Sequence, residues 1–272
     1  MENYNYGCKP PQIDVRDYKL PKAGNIVALP CAFTCQKELP PVKNQQSVNS
    51  CVAHATSSIL EYHDDGNQKL STNFIYGMQK KLFGHEDQGM YLKDACKTVQ
   101  QYGDMKLEDC TGNDEVPTSH SIAEEAFKDP SKRVRALPYK VSSYYTCTSQ
   151  FDTKRAIYQH GPVLGSIKWY DNFKVDSRGV LTGTLDGSYG YHAIMVYGWN
   201  EEGFLCQNSW GDTWGNKGRF LLPYYIGLAE AKGLIDWTKE SETETLVKPT
   251  TNSILDILYK ILNSFLNLFV KK

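Results

Sequence analysis

The chain has 272 residues, of which 40% are hydrophobic and 22% charged, enough apolar content for a sizeable core. Thirty Lys and Arg against 31 Asp and Glu leave a formal net charge of -1, so there is no basic footprint and nucleic-acid binding is not expected. Residues 1–20 hold no apolar run of signal-peptide length, so export by that route is not expected, and an intracellular or virion-associated setting is.

Residues 1–28 carry Pro10, Pro11 and Pro21 and little periodicity, which reads as an extended arm rather than a folded unit. Next comes the stretch from Pro41 to Tyr62. A polar turn, Asn44 to Asn49, leads into an apolar-periodic segment in which Val52, Ala55, Thr56, Ile59, Leu60 and His63 share a helical face. Cys51 falls in its first turn, where Asn49 or Ser50 can cap the helix, and the positive end of the helix favours a thiolate. The other reading of Cys51 is a small buried hydrophobe.

Two more helices follow, Thr72 to Leu82 capped by Ser71, and Leu92 to Tyr102 closed by Gly103. The loop between them holds His85, which reads as solvated, and Gly89. From Glu108 to Pro138 the chain is polar and proline-punctuated, an irregular connection with one short helix at Ala123 to Phe127. Beyond Tyr139 the pattern turns to strands: Val163 to Trp169, Tyr191 to Tyr197, Gly203 to Gln207 and Gly218 to Leu222. His192 lies in the second of these, and Asn208 follows the third. A helical first half and a β-rich second half give an α+β chain.

Eight cysteines at wide, irregular spacing do not read as a disulfide framework. Cys96 and Cys206 fall on core positions. Cys31 and Cys35 lack a second ligand pair, so no metal site is expected, while a disulfide among Cys8, Cys31, Cys35, Cys110 and Cys147 stays open. After Trp237 a polar linker, 239–252, leads to an amphipathic helix, 253–272, whose apolar run Ile254 to Val270 is slightly short of a bilayer span. Membrane-surface contact, self-association and docking on the chain's own surface are its three open roles.

A cysteine nucleophile needs a base, and the base needs an amide or carboxylate to fix its tautomer. Cys51, His192 and Asn208 supply these parts. With PVKNQ at Pro41, LSTNFIY at Leu70, GPV at Gly161 and NSWG at Asn208, the chain resembles the papain-like cysteine peptidases, closest to the compact bacterial and viral type without a long propeptide. The resemblance spans Leu29 to Trp237, within a peptidase domain taken as 29–238. His192 lies 141 residues after Cys51, inside the family's usual spacing.

That resemblance implies a two-lobed fold, with a helical N-terminal lobe, a β-rich C-terminal lobe and the cleft between them. It implies peptide-bond hydrolysis, as a thiol endopeptidase acting on peptides or proteins through a thioester, with no cofactor. Cys51 is then the nucleophile, His192 the acid and base, Asn208 the orienting residue and Gln45 the oxyanion donor. Gly89 and Met90 would offer a backbone edge to substrate, Met90, Tyr91, Ile167 and Ala193 would line an apolar pocket, and Trp210 would cover the imidazole. The departures bear on specificity: Val48 removes a disulfide partner, Asn49 replaces a glycine, which narrows the cleft or reshapes the turn, Val52 replaces a tryptophan, and Tyr191 stands where an aspartate or asparagine is common. An inactive peptide-binding module and acyl transfer to an amine remain as alternatives. For the arm, crossing the cleft and wrapping the back of the domain are both open.

Overall fold

The computed structural model describes residues 6–12, 14, 17–19, 28–84, 89–110 and 129–236. His85, the helix expected at Ala123 to Phe127, the linker and the C-terminal helix lie outside the described residues. The described part belongs to one unit, Met1–Trp237.

Helix α1 (Cys51–His63) is buried along its whole length, on every side rather than on one face. Small residues at Ala53, Ala55, Ser57 and Ser58 let neighbours approach closely, and the helix packs on α2 (Thr72–Phe83), α3 (Leu92–Gln101) and the sheet. Helix α2 begins as its sequence implies: Ser71 Oγ accepts from the Phe74 N–H at 3.0 Å. Gly84, at φ 67°, closes it. In α3 the apolar face of Leu92, Ala95, Cys96 and Val99 is buried.

Within the connection read as irregular, the structure forms α4 (Pro130–Ala136). Asp129 accepts from the Ser131 N–H and Pro130 stands in the first turn, a start signal that the surrounding polar sequence obscured. Helix α5 (Gln150–His160), capped by Ser149, is a further element that sequence periodicity did not reveal.

The strands β1 (Phe33–Thr34), β2 (Val141–Cys147), β3 (Val163–Tyr170), β6 (Tyr189–Trp199), β7 (Gly203–Gln207), β8 (Arg219–Pro223) and β9 (Glu230–Asp236) form one antiparallel sheet. Its order is β2-β9-β3-β6-β7-β8, with β1 on β6, while β4 (Lys174–Val175) and β5 (Leu181–Thr182) make a separate hairpin. The core joins α1 and α3 to β3, β6 and β9, so the helix that begins with Cys51 lies against the strand that carries His192.

A buried ion pair fixes the turn before α1. Lys43 Nζ donates to Glu61 Oε1 and to the Leu70 carbonyl, both at 2.8 Å, and Glu61 Oε1 also accepts from the Leu70 N–H. The Gly211 N–H donates to the Lys43 carbonyl at 3.0 Å, and the Gln45 N–H to the Ser209 carbonyl at 2.8 Å. The turn entering α1 is thereby tied to the turn leaving β7.

Candidate active site

Cys51 is the first residue of α1 and Ser50 its N-cap residue. The expected side-chain cap is not made: the Ser50 hydroxyl is buried without a hydrogen-bond partner. Cys51 Sγ instead accepts the Ala193 N–H at 3.4 Å, which holds the sulfur against the residue following His192.

His192 comes from β6, where the register sets it opposite Ile167 of β3. Its Nε2 meets Asn208 Oδ1 at 2.7 Å, and that oxygen also accepts the Ser209 N–H at 2.8 Å. Because Oδ1 accepts only, Nε2 carries the proton and Nδ1 is left as the basic nitrogen. Trp210 lies over the imidazole with ring centroids 4.5 Å apart, and Trp169 meets it edge-on at 5.5 Å. Trp214 packs on Trp169, Trp210 and Phe220. This aromatic wall keeps water from the His192–Asn208 bond. Gln45 is buried, with Oε1 accepting from Ser209 Oγ at 2.6 Å and Nε2 donating to the Val48 carbonyl at 2.9 Å. Its amide is held in the turn that delivers Cys51.

Residues of the arm run through this site. Tyr6 packs on His192 and Trp210, with centroids 6.3 and 6.5 Å away. The Gly7 N–H donates to Cys51 Sγ at 3.2 Å. The Met90 N–H donates to the Gly7 carbonyl and the Lys9 N–H to the Met90 carbonyl, both at 2.9 Å, and the Cys8 N–H donates to the Tyr191 carbonyl at 3.2 Å. Gly7 is required here: a Cβ would stand 2.2 Å from the Asn49 carbonyl carbon. The close approach associated with a glycine at position 49 is provided instead by Gly7 of the arm. Gly89, at φ 78°, has no room for a side chain either, since its Cβ would lie 2.5 Å from the Gly7 carbonyl oxygen.

Under the arm, Cys51 and His192 are both 0% exposed. Burial pushes the Cys51 thiol up to about 11, against the opposing backbone N–H groups of Ala193, Gly7, Val52 and Cys51 itself. Burial also takes His192 down to about 4, despite the Asn208 bond. At neutral pH both groups are therefore uncharged in this arrangement. With the arm seated, burial outweighs the backbone N–H groups at the start of α1 that favour a thiolate.

Of the residues expected to bind substrate, Gly89, Met90, Tyr91 and Trp210 meet the arm, with Lys9 Nζ 5.2 Å from the Tyr91 ring centre, while Ala193 donates its N–H to Cys51 Sγ. Ile167 pairs with His192, one strand position away from the pair Ser166 and Ala193, so those two face the other way. Cys8 adjoins Ser166 and Glu230, which also pair across β3 and β9. Ser166 and Glu230 are polar wall residues that the sequence reading missed, and nothing local marks them. All eight cysteines are free thiols, so the disulfide left open is not formed.

A family model described as "Papain family cysteine protease" matches residues 31–227. Among curated relatives, cathepsin B-like cysteine proteinase 3 of Caenorhabditis elegans is 26% identical, over 73% of this chain and 63% of its own length. Cathepsin K of Mus musculus is 29% identical, over 67% of this chain and 55% of its own. The chain thus spans less than two thirds of either. Among solved structures, xylellain, a cysteine protease from Xylella fastidiosa, superposes with a TM-score of 0.69 at 23% identity, covering 85% of this chain and 96% of that one. Digestive procathepsin L 3 of the Tenebrio molitor larval midgut superposes at 0.62 and 18% identity, covering 81% and 74%. These structural likenesses carry the papain-like α+β fold.

Proposed function

Because the chain belongs to the papain family of cysteine proteases, we propose that it hydrolyses peptide bonds of polypeptide substrates with Cys51, and that its own arm holds the cleft closed until displaced. The observation that carries the reading is the 2.7 Å bond from His192 to Asn208 beside a sulfur tethered to Ala193. With the arm out, water and substrate dipoles return to the site and the desolvation that keeps both groups neutral is relieved. The Cys51 proton then moves to His192 Nδ1, and the thiolate attacks the substrate carbonyl carbon. The Cys51 N–H and the Gln45 amide stabilise the resulting oxyanion. As the C–N bond breaks, Nδ1–H protonates the leaving amine. Water, deprotonated by the same nitrogen, then releases the acid from the thioester and restores the thiol.

Support for self-closure comes from what the arm presents to the nucleophile. Gly7 offers Cys51 an N–H, not a carbonyl carbon, so the seated arm is bound as an amide donor rather than as a scissile bond. The test is turnover of an unfolded protein in reducing buffer by the intact chain and by Cys51→Ala, with fragments identified by mass. Fragments from the intact chain that vanish on substitution support the reading; fragments that persist in Cys51→Ala refute it.

For residues 253–272 the sequence pattern supports membrane-surface contact or self-association. Vesicle flotation and sedimentation of the full chain against a chain ending at Thr251 test both, and identical behaviour of the two chains would remove them.

A further inference from the structure

The arm is held at a second place, and the groups that hold it are cations. Lys232 on β9 is 1% exposed, and its ammonium donates to Asp17 Oδ2 at 3.0 Å, to Glu230 Oε1 at 3.1 Å and to Thr146 Oγ1 at 2.7 Å. All three of its protons are used. Lys93, near the start of α3, donates to Asp14 Oδ2 at 2.9 Å and also pairs with Asp17. Glu230 is the shared wall: it lies near Cys8, in the cleft, and bonds Lys232 beyond it.

We propose that Lys93 and Lys232 form a carboxylate-binding subsite beside the cleft, which takes an acidic polypeptide segment and which Asp14 and Asp17 fill while the arm is seated. The proposal rests on reading the cleft as a peptide-binding groove. With the arm present, three carboxylates face two ammonium groups; with it gone, Glu230 alone faces both. The remaining neighbours, the Cys96 thiol and the Tyr144 phenol, have their ionisation pushed up chiefly by burial and add no opposing charge at neutral pH. A buried ammonium stripped of a partner draws a replacement carboxylate, and a basic segment is repelled. Lys93 and Lys232 bind the arm's own carboxylates three residues apart, which sets the spacing of the preferred ligand.

The site is tested by binding alone, so its outcome is separate from that of the peptidase reading. The protein is the full chain carrying Cys51→Ala, with Gly7→Val, Asp14→Asn and Asp17→Asn to keep the arm out. The probes are two fluorescein-labelled peptides that differ only in carrying Asp or Asn at two positions three apart. The Asp peptide is expected to bind about tenfold tighter or more at low salt, the worth of one charge-assisted hydrogen bond. Lys93→Gln should shrink that difference severalfold, Lys232 still holding one carboxylate, and an unchanged thermal melt would show that the variant folds. Equal affinity for the two peptides, or a difference that Lys93→Gln leaves undiminished, would overturn the proposal.

Discussion

Gly7→Ala is the smallest change that should open the cleft in the intact chain. The new methyl would stand 2.2 Å from the Asn49 carbonyl carbon and 2.3 Å from its oxygen. Those atoms precede the nucleophile helix and cannot yield without moving Cys51. Seating the arm would therefore mean giving up the three backbone bonds to Met90 and Tyr191. At about 1 kcal/mol net apiece they amount to about 3 kcal/mol, and the open fraction should rise roughly 100-fold. Two assays read this: turnover of an unfolded protein, and the rate at which iodoacetamide alkylates Cys51, located by mass. The second works even without turnover, because a buried thiol raised to about 11 is a poor nucleophile until uncovered. If Gly7→Ala changes neither rate, the arm does not control access to Cys51.

In the Gly7→Ala background, Gln45→Ala should lower kcat about 10²- to 10³-fold with KM little altered, the signature of a lost oxyanion donor. His192→Ala in the same background should lower kcat about 10²- to 10⁴-fold, and equal rates with and without the imidazole would refute its assigned role. Burial raises Asp17, but bonds from Lys93 and Lys232 outweigh it and hold the carboxyl below its ordinary value. Its contribution to closure is then complete above about pH 4 and fades as pH falls through the lowered value. Glu230, raised by burial, protonates earlier and leaves Lys232 to Asp17. Hydrogen exchange at residues 7–9, corrected for intrinsic rate, should therefore show no loosening between pH 7 and pH 5, and loosening in that interval would contradict the ion-pair account. Lys43→Ala strands a Glu61 carboxylate whose side chain is 5% exposed. It should reduce stability to urea by about 3–5 kcal/mol, whereas the pair Lys43→Met with Glu61→Leu should recover most of that loss.

Elements whose signals are local could be read from the sequence. Helices α1 to α3 and strands β3, β6, β7 and β8 carry their own periodicity and punctuation, and Cys51, His192 and Asn208 stand in motifs, the first and last at element ends and His192 early in β6. Helix α5 and strand β9 could not be read this way. Helix α5 mixes Lys154, Arg155 and Gln159 among its few apolar residues, and β9 buries Lys232, which no alternation rule places inside. Ser166 and Ile167 illustrate a one-residue ambiguity: adjacent strand positions face opposite ways, and only the pairing with β6 and β9 tells which side meets the cleft. The arm's path was hidden because its partners lie far along the chain. Asp17 and Lys232 are 215 residues apart, a distance over which composition says nothing.

That same separation governs when the protein can guard itself during synthesis. The arm is made before α3, β6 and β9, which carry most of its partners, so its docking is among the last long-range contacts to form. Asn208, the last of the three proposed catalytic residues in chain order, emerges only two strands before Lys232. On the proposed function, the gap between a finished nucleophile and a finished clasp is therefore short, leaving a nascent chain little opportunity to cut its neighbours. A segment tethered to its own cleft also closes at a rate set by chain motion, not by protein concentration, so dilution cannot release it.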